Sequence, residues 1–247
     1  MKVKVMSDCH LEFGDMDPGT GDVLVLAGDI CVAEEYDKFH SFFERCAVGY
    51  NKVFYVLGNH EHYNGNFDES YFILQSKLPD GITLLQNKSI YYRGVHWVGA
   101  TLWTNQNNLS YDTMKQSQDC MNDYYCVKRR DGRNLTVLDT IDDHLFTREW
   151  FEQAVPTLNG PVFMITHHAP SVDSVKGRYI GNEGAYSSDM TDLMNKNSNI
   201  VYWAHGHIHE NSDYMMGNCR VIANPRGYNG MELNPNFNPD FEIEIEE

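Results

Sequence analysis

Short apolar runs and amphipathic stretches alternate over the first hundred residues of the chain. Three runs, at 3–6, 22–27 and 53–57, are rich in apolar and β-branched residues and predict buried parallel strands. Between the second and third runs, apolar side chains recur at helical spacing. They predict a helix over 33–47 whose buried face is formed by Tyr36, Phe39, Phe42, Phe43 and Cys46. This strand–helix–strand order predicts an α/β fold with a parallel sheet.

The alternation continues along the rest of the chain. Helices are predicted over 67–78, 138–155 and 187–195, and the second is expected to bury Leu138, Ile141, Leu145 and Trp150. Further strands are predicted at 82–85, 90–92, 95–100, 162–166, 200–204 and 220–223. Residues 241–246 alternate apolar and acidic side chains, which indicates a last strand with one charged face.

The segment 104–134 breaks this pattern. It is rich in Asn, Gln, Asp and Tyr and shows little periodicity. A stretch this long without clear elements is typical of a functional loop, so we predict a lid within one domain that spans 1–247. Inside it, Lys128, Arg129, Arg130 and Arg133 form a basic group that either steers an anionic substrate or is simply solvated.

Acidic, amide and imidazole side chains follow the predicted strands, at the point where each strand ends. The clusters are Asp8-Cys9-His10, Gly28-Asp29, Gly58-Asn59-His60-Glu61-His62, His167-His168 and His205-Gly206-His207-Ile208-His209. In open α/β sheets ligands bind beyond the carboxyl ends of the strands, so these side chains are expected to converge. Taken singly, Asp29 also suits a helix cap, and one histidine of the 167–168 pair suits a buried core position.

The types of donor atom predict the kind of ligand. Carboxylate, amide and imidazole donors suit Mn²⁺, Fe or Zn²⁺ and do not suit an iron–sulfur cluster. The candidates are numerous enough for two ions that share one aspartate. The six cysteines are scattered without a C-x-x-C pair, and we expect them to be reduced, buried and apolar in behaviour.

Charge and composition exclude several classes of partner. With 19 basic and 35 acidic residues, the formal net charge of −16 disfavours binding to long nucleic acid and to anionic membranes. No apolar run reaches the roughly 18 residues of a transmembrane helix, and Lys2 and Lys4 interrupt any signal-peptide core. We therefore expect a cytoplasmic protein, and the oligomeric state stays open. The negative charge does not exclude a small phosphate-bearing substrate if metal ions supply local positive charge in the site.

The ordered set of motifs resembles the signature of the calcineurin-like metallophosphoesterases. The resemblance covers residues 8–209 and implies a four-layer αββα sandwich with a dimetal site at the carboxyl ends of the strands. Mn²⁺ is the expected ion, with Fe, Zn²⁺ or Ni²⁺ as alternatives. The resemblance implies that one ion is held by Asp8, His10 and His209 and the other by Asn59, His167 and His207, with Asp29 bridging both.

The resemblance also implies a mechanism. A hydroxide shared by two ions about 3.5–4 Å apart attacks phosphorus in line with the departing oxygen, to which His60 donates a proton. His168 is expected to contact phosphate or to support the ligands, and Arg226 either to bind phosphate or to serve a turn. The segments 101–104, 121–123 and 224–228 are similar to stretches in small bacterial and phage phosphoesterases of the superfamily.

Together these features predict a dimetal phosphoesterase that prefers diesters. A phosphomonoesterase and a nuclease of the same superfamily are the alternatives within that class, and a metal-binding scaffold without turnover is the alternative outside it. Protein Ser/Thr phosphatases are disfavoured because no Asp-Arg pair follows Gly28-Asp29. The presence of His60 beside every expected ligand favours an enzyme over a scaffold.

Overall fold

The computed structural model describes residues 1–246, without the side chain of Arg178. A first sheet is formed by β1 (Lys2–Met6), β2 (Gly21–Ala27), β3 (Tyr50–Val56), β4 (Ile82–Leu84) and β13 (Glu242–Glu244). The strand order is β13-β1-β2-β3-β4. Strands β1 to β4 run parallel, and β13 pairs with β1 in the antiparallel direction. The predicted last strand is therefore confirmed at the edge of this sheet.

A second sheet is formed by β5 (Lys88–Tyr92), β6 (Val95–Ala100), β7 (Val162–Thr166), β8 (Ile200–His205), β9 (Ser212–Met216) and β10 (Cys219–Ala223). Its order is β5-β6-β7-β8-β10-β9, with antiparallel strands at both edges. A separate short hairpin pairs β11 (Gly227–Tyr228) with β12 (Glu232–Leu233). Strand β9 was not predicted, because this edge strand begins with Ser212 and Asp213 and buries only Ser212 fully.

The two sheets pack face to face through alternate side chains of their strands. The Phe54 ring of β3 stacks on Trp97 of β6 with 4.5 Å between ring centroids, and Trp97 stacks on Phe163 of β7 at 4.8 Å. Neighbouring residues of a strand point to opposite faces. Val53 and Tyr55 therefore belong to a second core on the outer side of the first sheet.

Helices cover the outer faces of both sheets and also occur in the connecting segments. They are α1 (Tyr36–Gly49), α2 (Ser70–Lys77), α3 (Gln106–Leu109), α4 (Tyr111–Cys120), α5 (Asp123–Cys126), α6 (Val137–Ala154), α7 (Glu183–Tyr186) and α8 (Thr191–Lys196). The first sheet packs against α1 and α2, and the second packs against α6 and α8. This arrangement confirms the predicted αββα sandwich. The helix predicted over 187–195 is wrong in its bounds, since α7 and α8 flank an extended segment.

Helix α6 buries a face that matches the predicted one only in part. Ile141 is buried, as predicted, but Leu138 and Leu145 are 61% and 48% exposed, and His144 and Phe151 are buried instead. The buried stripe includes polar side chains, and the His144 Nδ1 atom lies 2.8 Å from the carbonyl oxygen of Leu102. A prediction from apolar residues alone therefore misplaces the buried face of α6 around the helix.

The segment 104–134 contains three helices, α3 to α5, so the prediction that it lacks clear elements is wrong. Helix α4 is capped by Ser110, whose Oγ accepts a hydrogen bond from the Thr113 amide at 3.5 Å. Ser117 is the buried residue of α4, so no apolar stripe marks this helix in the sequence. Tyr124 packs with Val127 and other residues in a small core of its own.

Two other expectations concern membranes and cysteines. Within residues 1–246, no helix is both long and apolar enough to cross a bilayer. Cys9, Cys31, Cys46 and Cys219 are buried, as predicted, but Cys120 is exposed.

Candidate metal centre

Seven side chains converge where five strands of the two sheets end. Their elements bring them together from positions almost two hundred residues apart, and none is more than 8% exposed. The first sheet contributes residues after β1, β2 and β3, and the second contributes residues after β7 and β8. In chain order the seven are Asp8, His10, Asp29, Asn59, His167, His207 and His209.

One group of donor atoms is formed by Asp8, His10 and His209. Their nearest donor atoms all lie within 4.8 Å of one another. His10 Nε2 lies 3.2 Å from His209 Nε2, and His209 Nε2 lies 3.4 Å from Asp8 Oδ1. Two imidazole nitrogens that face each other beside a carboxylate form a chelating arrangement of the kind that a divalent ion occupies.

A second group is formed by Asp29, His167 and His207, again with donor atoms within 4.8 Å of one another. Asn59 joins it, because its Oδ1 atom lies 3.0 Å from His167 Nε2. The two oxygens of Asp29 face different groups: Oδ1 lies 3.4 Å from His167 Nε2, and Oδ2 lies 3.8 Å from His10 Nε2. Asp29 thus stands between the two sets of donors.

An orphaned nitrogen tests whether these residues suit a metal ion. His207 Nε2 is buried and has no hydrogen-bond partner among the described residues. A buried lone pair without a partner costs free energy, which coordination of an ion would offset. His207 belongs to the group formed with Asp29 and His167, so the donor set fits a metal ion.

The backbone around the ligands is strained and tightly held. Asp8, His10, Asp29 and His207 all have positive φ, between 43° and 67°, a region that side chains rarely adopt outside functional sites. The carboxylate of Glu61 holds the Asp29 turn, since it accepts hydrogen bonds from the amides of 29, 30 and 31 at 3.0, 2.7 and 3.3 Å.

Glycine is required beside that turn. A Cβ at Gly58 would lie 2.1 Å from Asp29 Oδ1. This close approach explains the Gly58-Asn59 step that precedes the catalytic candidate His60.

The charges of the site are mutually dependent. Burial works against the charge of Asp29, but the neighbouring imidazoles, His167 first, hold the pKa of its carboxyl well below the usual range. Burial likewise opposes a proton on His167, yet Asp29 raises the pKa of that imidazole to about 10. A bound cation would replace this proton, so ion binding at the second group competes with protons.

The His60 ring lies beside the candidate ligands, and each of its two nitrogens is close to a polar side chain. Its Nδ1 atom lies 2.8 Å from Glu12 Oε1, and its Nε2 atom lies 3.3 Å from the hydroxyl of Tyr228. The ring also stacks on Tyr63, with 4.1 Å between centroids. Burial opposes its charged form, but Asp29 and then Glu12 raise the pKa of His60 to about 9. His60 is therefore suited to carry a proton near neutral pH.

A cavity of about 180 Å³ opens onto these side chains. Beside Asp29, Asn59, His60, His207 and His209, its walls are formed by four tyrosines and by the residues around the start of α5: Tyr63, Tyr179, Tyr186, Tyr228, Cys120, Met121, Asn122 and Asp123. A larger cavity of about 620 Å³ lies between the segments 105–113 and 171–191, but the candidate ligands do not line it.

Comparison with known proteins now identifies the family. A family model described as calcineurin-like phosphoesterase matches residues 1–211. The chain belongs to the calcineurin-like phosphoesterases. Members of this family hydrolyse phosphate esters with a dimetal centre, which agrees with the two donor groups.

Individual relatives agree with this assignment. The uncharacterized protein L509 of Acanthamoeba polyphaga mimivirus is 29% identical over 99% of this chain and 97% of its own length. The phosphopantetheinyl hydrolase PptH of Mycobacterium tuberculosis has a similar structure, with a TM-score of 0.65 and 17% identity over 92% of this chain and 89% of that one. GAP50, an anchor in the inner membrane complex of Plasmodium, has a TM-score of 0.54 and 8% identity over 99% and 88%. At these identities the two structures show a shared fold only.

His168 lies behind the ligands of this phosphoesterase. It is 1% exposed and does not line the cavity. Its ring packs against His207 at 4.2 Å and Trp103 at 5.0 Å between centroids. Of the two roles expected for His168, this placement favours support of a ligand over contact with phosphate.

Arg226 serves a turn rather than the cavity. Its Nη1 atom donates to the carbonyl oxygens of Cys9 and Gly14 at 2.9 and 2.8 Å, and Nη2 donates to that of Asp15 at 3.3 Å. The side chain is buried and does not line the cavity. The expected phosphate contact of Arg226 is thus replaced by a structural role, in which it fixes the loop that carries His10.

The arginines of the basic group in the 104–134 segment pair with carboxylates outside that segment. Arg129 binds Asp68 through two hydrogen bonds of 3.0 and 2.9 Å, and Arg133 binds Asp139 at 2.6 Å. Their charges are thus largely neutralised, which favours the solvated turn over substrate steering.

The sequence indicated no functional role for Glu12 or for Asp123, although Asp123 lies in the 121–123 stretch and both residues are next to His60 or the cavity. Glu12 follows His10 by two residues and accepts hydrogen bonds from both His10 and His60. Burial opposes its charge, but the two imidazoles lower the pKa of Glu12 to about 2. The signal that could have pointed to Glu12 is its position, since it is a carboxylate two residues after a candidate metal ligand.

Proposed function

We propose that this phosphoesterase cleaves small phosphodiesters with two divalent ions, Mn²⁺ first and Fe, Zn²⁺ or Ni²⁺ as alternatives. When bound, the ions would supply an activated water and offset the charge of the phosphoryl oxygens. The side chains that would hold one ion are Asp8, His10 and His209, those that would hold the other are Asn59, His167 and His207, and Asp29 would lie between them.

One observation supports the two-ion proposal above all. The Oδ1 and Oδ2 atoms of Asp29 face separate donor groups, at 3.4 Å from His167 and 3.8 Å from His10. A single carboxylate placed in this way lowers the repulsion between two cations. The backbone amide of His60 also donates to Asp29 Oδ1 at 2.8 Å, so the bridging position and His60 are coupled.

His60 is the proposed donor of a proton to the departing alcohol. Glu12 holds the Nδ1 atom, so the Nε2 atom is directed toward the cavity, where Tyr228 also places its hydroxyl. A proton on Nε2 can then be given to the leaving oxygen as the ester bond breaks. Stacking on Tyr63 fixes the plane of the ring during this transfer.

The cavity supports a small, weakly charged substrate. Its volume of about 180 Å³ accommodates a phosphate group and a small substituent. Among the described side chains that line it there is no lysine or arginine. A monoester would bring a second negative charge next to Asp29 and Asp123, whereas a diester brings one, and this difference supports the preference for diesters.

The test is turnover of bis-p-nitrophenyl phosphate beside p-nitrophenyl phosphate. The chelated protein is reloaded with Mn²⁺, Zn²⁺, Ni²⁺ or Mg²⁺, and His60→Ala serves as the variant that keeps the ligands. We expect Mn²⁺-dependent cleavage that favours the diester and falls by about 10²–10⁴-fold in His60→Ala.

The other outcomes assign the alternatives. Preference for the monoester would show a phosphomonoesterase, and cleavage of long single- or double-stranded DNA would show a nuclease. Ions bound without turnover of any ester would refute the proposed activity and support a metal-binding scaffold.

A further inference from the structure

Asp123 is a buried carboxylate in the wall of the cavity, and the mechanism above does not use it. It begins α5, is 1% exposed and lines the cavity beside His60. It belongs to the 121–123 stretch that the sequence singled out. A carboxylate in this position needs a reason, because it lies where an anionic ester would bind.

One oxygen of this carboxylate is unpartnered. Burial raises the pKa of the Asp123 carboxyl and the side chain of Asn59 works against that rise, and Asp123 Oδ1 has no hydrogen-bond partner among the described residues. Asp123 also belongs to none of the groups whose donor atoms converge for a metal ion. A buried carboxylate oxygen of this kind is a strong acceptor without a donor.

The position of Asp123 indicates which part of a substrate would meet it. Its carboxylate and the His60 imidazole line the same cavity, and each shifts the pKa of the other. His60 is the proposed proton donor to the leaving oxygen, so Asp123 lies on the leaving-group side. A phosphoryl oxygen would be repelled there, whereas a hydroxyl or ammonium group on the alcohol would be attracted.

We propose that Asp123 Oδ1 accepts a hydrogen bond from a donor on the leaving alcohol, next to the ester oxygen. The preferred substrates are then phosphate esters of hydroxyl- or amine-bearing alcohols, such as polyols, sugars or amino alcohols, rather than plain alkyl esters. This inference rests on the proposed phosphodiesterase function and names the substrate class of that same site.

Competition among three matched diesters tests the inference. Bis(2-hydroxyethyl) phosphate, bis(2-aminoethyl) phosphate and diethyl phosphate are measured as inhibitors of bis-p-nitrophenyl phosphate turnover by the Mn²⁺-loaded full chain. We expect at least one donor-bearing ester to inhibit about tenfold or more tightly than diethyl phosphate, as one charge-assisted hydrogen bond allows. The first two esters distinguish hydroxyl from ammonium recognition.

Variants then locate the contact. In Asp123→Asn, the ratio of inhibition by the donor-bearing esters to inhibition by diethyl phosphate should fall toward one. In Asp119→Asn this ratio should stay unchanged, because Asp119 is an exposed carboxylate of α4 that pairs with Lys115. The metal content of both variants is measured, since Asp123 also contacts Asn59. If all three esters inhibited Asp123→Asn more weakly and this variant also lost an ion, the role of Asp123 would be to hold Asn59, and the inference would be overturned.

Failure of the inference is distinguishable from failure of the function. Equal inhibition by the three esters, or none by any of them, overturns the role of Asp123 while bis-p-nitrophenyl phosphate is still cleaved. Absence of that cleavage in the unaltered protein refutes the phosphodiesterase itself.

Discussion

The contact between Glu12 and His60 has a strength that can be measured. Glu12 Oε1 lies 2.8 Å from His60 Nδ1, and the Glu12 side chain is 16% exposed, so water screens the pair only in part. A hydrogen bond to a charged group contributes about 1.5–3 kcal/mol, and one pKa unit corresponds to about 1.4 kcal/mol. Glu12→Gln should therefore lower the pKa of His60 from about 9 by about 1–2 units.

The direct assay is NMR titration of the His60 ring in the metal-free protein, with Glu152→Gln on the surface of α6 as the charge-matched control. Asp29, the larger of the influences that raise the pKa, stays in the variant, so His60 should remain above its ordinary value of 6.5. Since His60 must carry a proton to donate it, the loss of phosphodiester turnover at high pH should also move to lower pH.

The reasoning is refuted by a variant whose His60 titrates as in the unaltered protein. That result would mean that the 2.8 Å contact contributes nothing to the protonated form of His60. A shift of similar size in Glu152→Gln would trace the effect to net charge instead of the contact.

Three other changes test the site, the core and the pH dependence. Asp29→Asn should release bound Mn²⁺ with the circular dichroism unchanged, and full metal content by elemental analysis would contradict its position between the two donor groups. Ile141→Ala should lower the free energy of unfolding by about 2–5 kcal/mol in urea and exposed Leu145→Ala by less than about 0.5 kcal/mol, and equal losses would contradict the observed face of α6. Burial lowers the pKa of His205 from 6.5 to about 4. The unfolded chain therefore binds the extra proton, and stability contributed by neutral His205 is present above pH 6.5 and lost as the pH falls toward 4. In His205→Asn, the free energy of unfolding measured in urea should depend less steeply on pH over that range, by up to about one proton. An unchanged slope would contradict the assignment.

Most of the strands, and the convergence of the donor residues at the strand ends, were predictable because both follow simple periodic rules. The run 23–27 is apolar throughout, since a strand between two layers is buried on both faces. Donor residues directly after such runs must lie at one edge of the sheets, which brings Asp29 and His167 together although 138 residues separate them.

Other features depend on contacts that no local pattern records. The buried face of α6 uses His144, whose partner is a carbonyl in another segment, so an apolar count misplaces the face. Arg226 looked equally suited to phosphate and to a turn, and only the carbonyls of Cys9 and Gly14 decide between them. Glu12 and Asp123 acquire their chemistry from nearness to His60, which depends on the folded chain.

The turn around Arg226 affects where this protein can be divided. The family match ends at residue 211, and every candidate ligand precedes that point. Yet the backbone of the first ligand loop is bonded to the later segment, from the Arg226 amide to Ser7 and from the Gly227 amide to Asp8, each at 3.0 Å. A shortened chain that ends after His209 would contain all the donors without the turn that shapes the first of them. Such a shortened chain is therefore expected to bind the ions more weakly than the full chain.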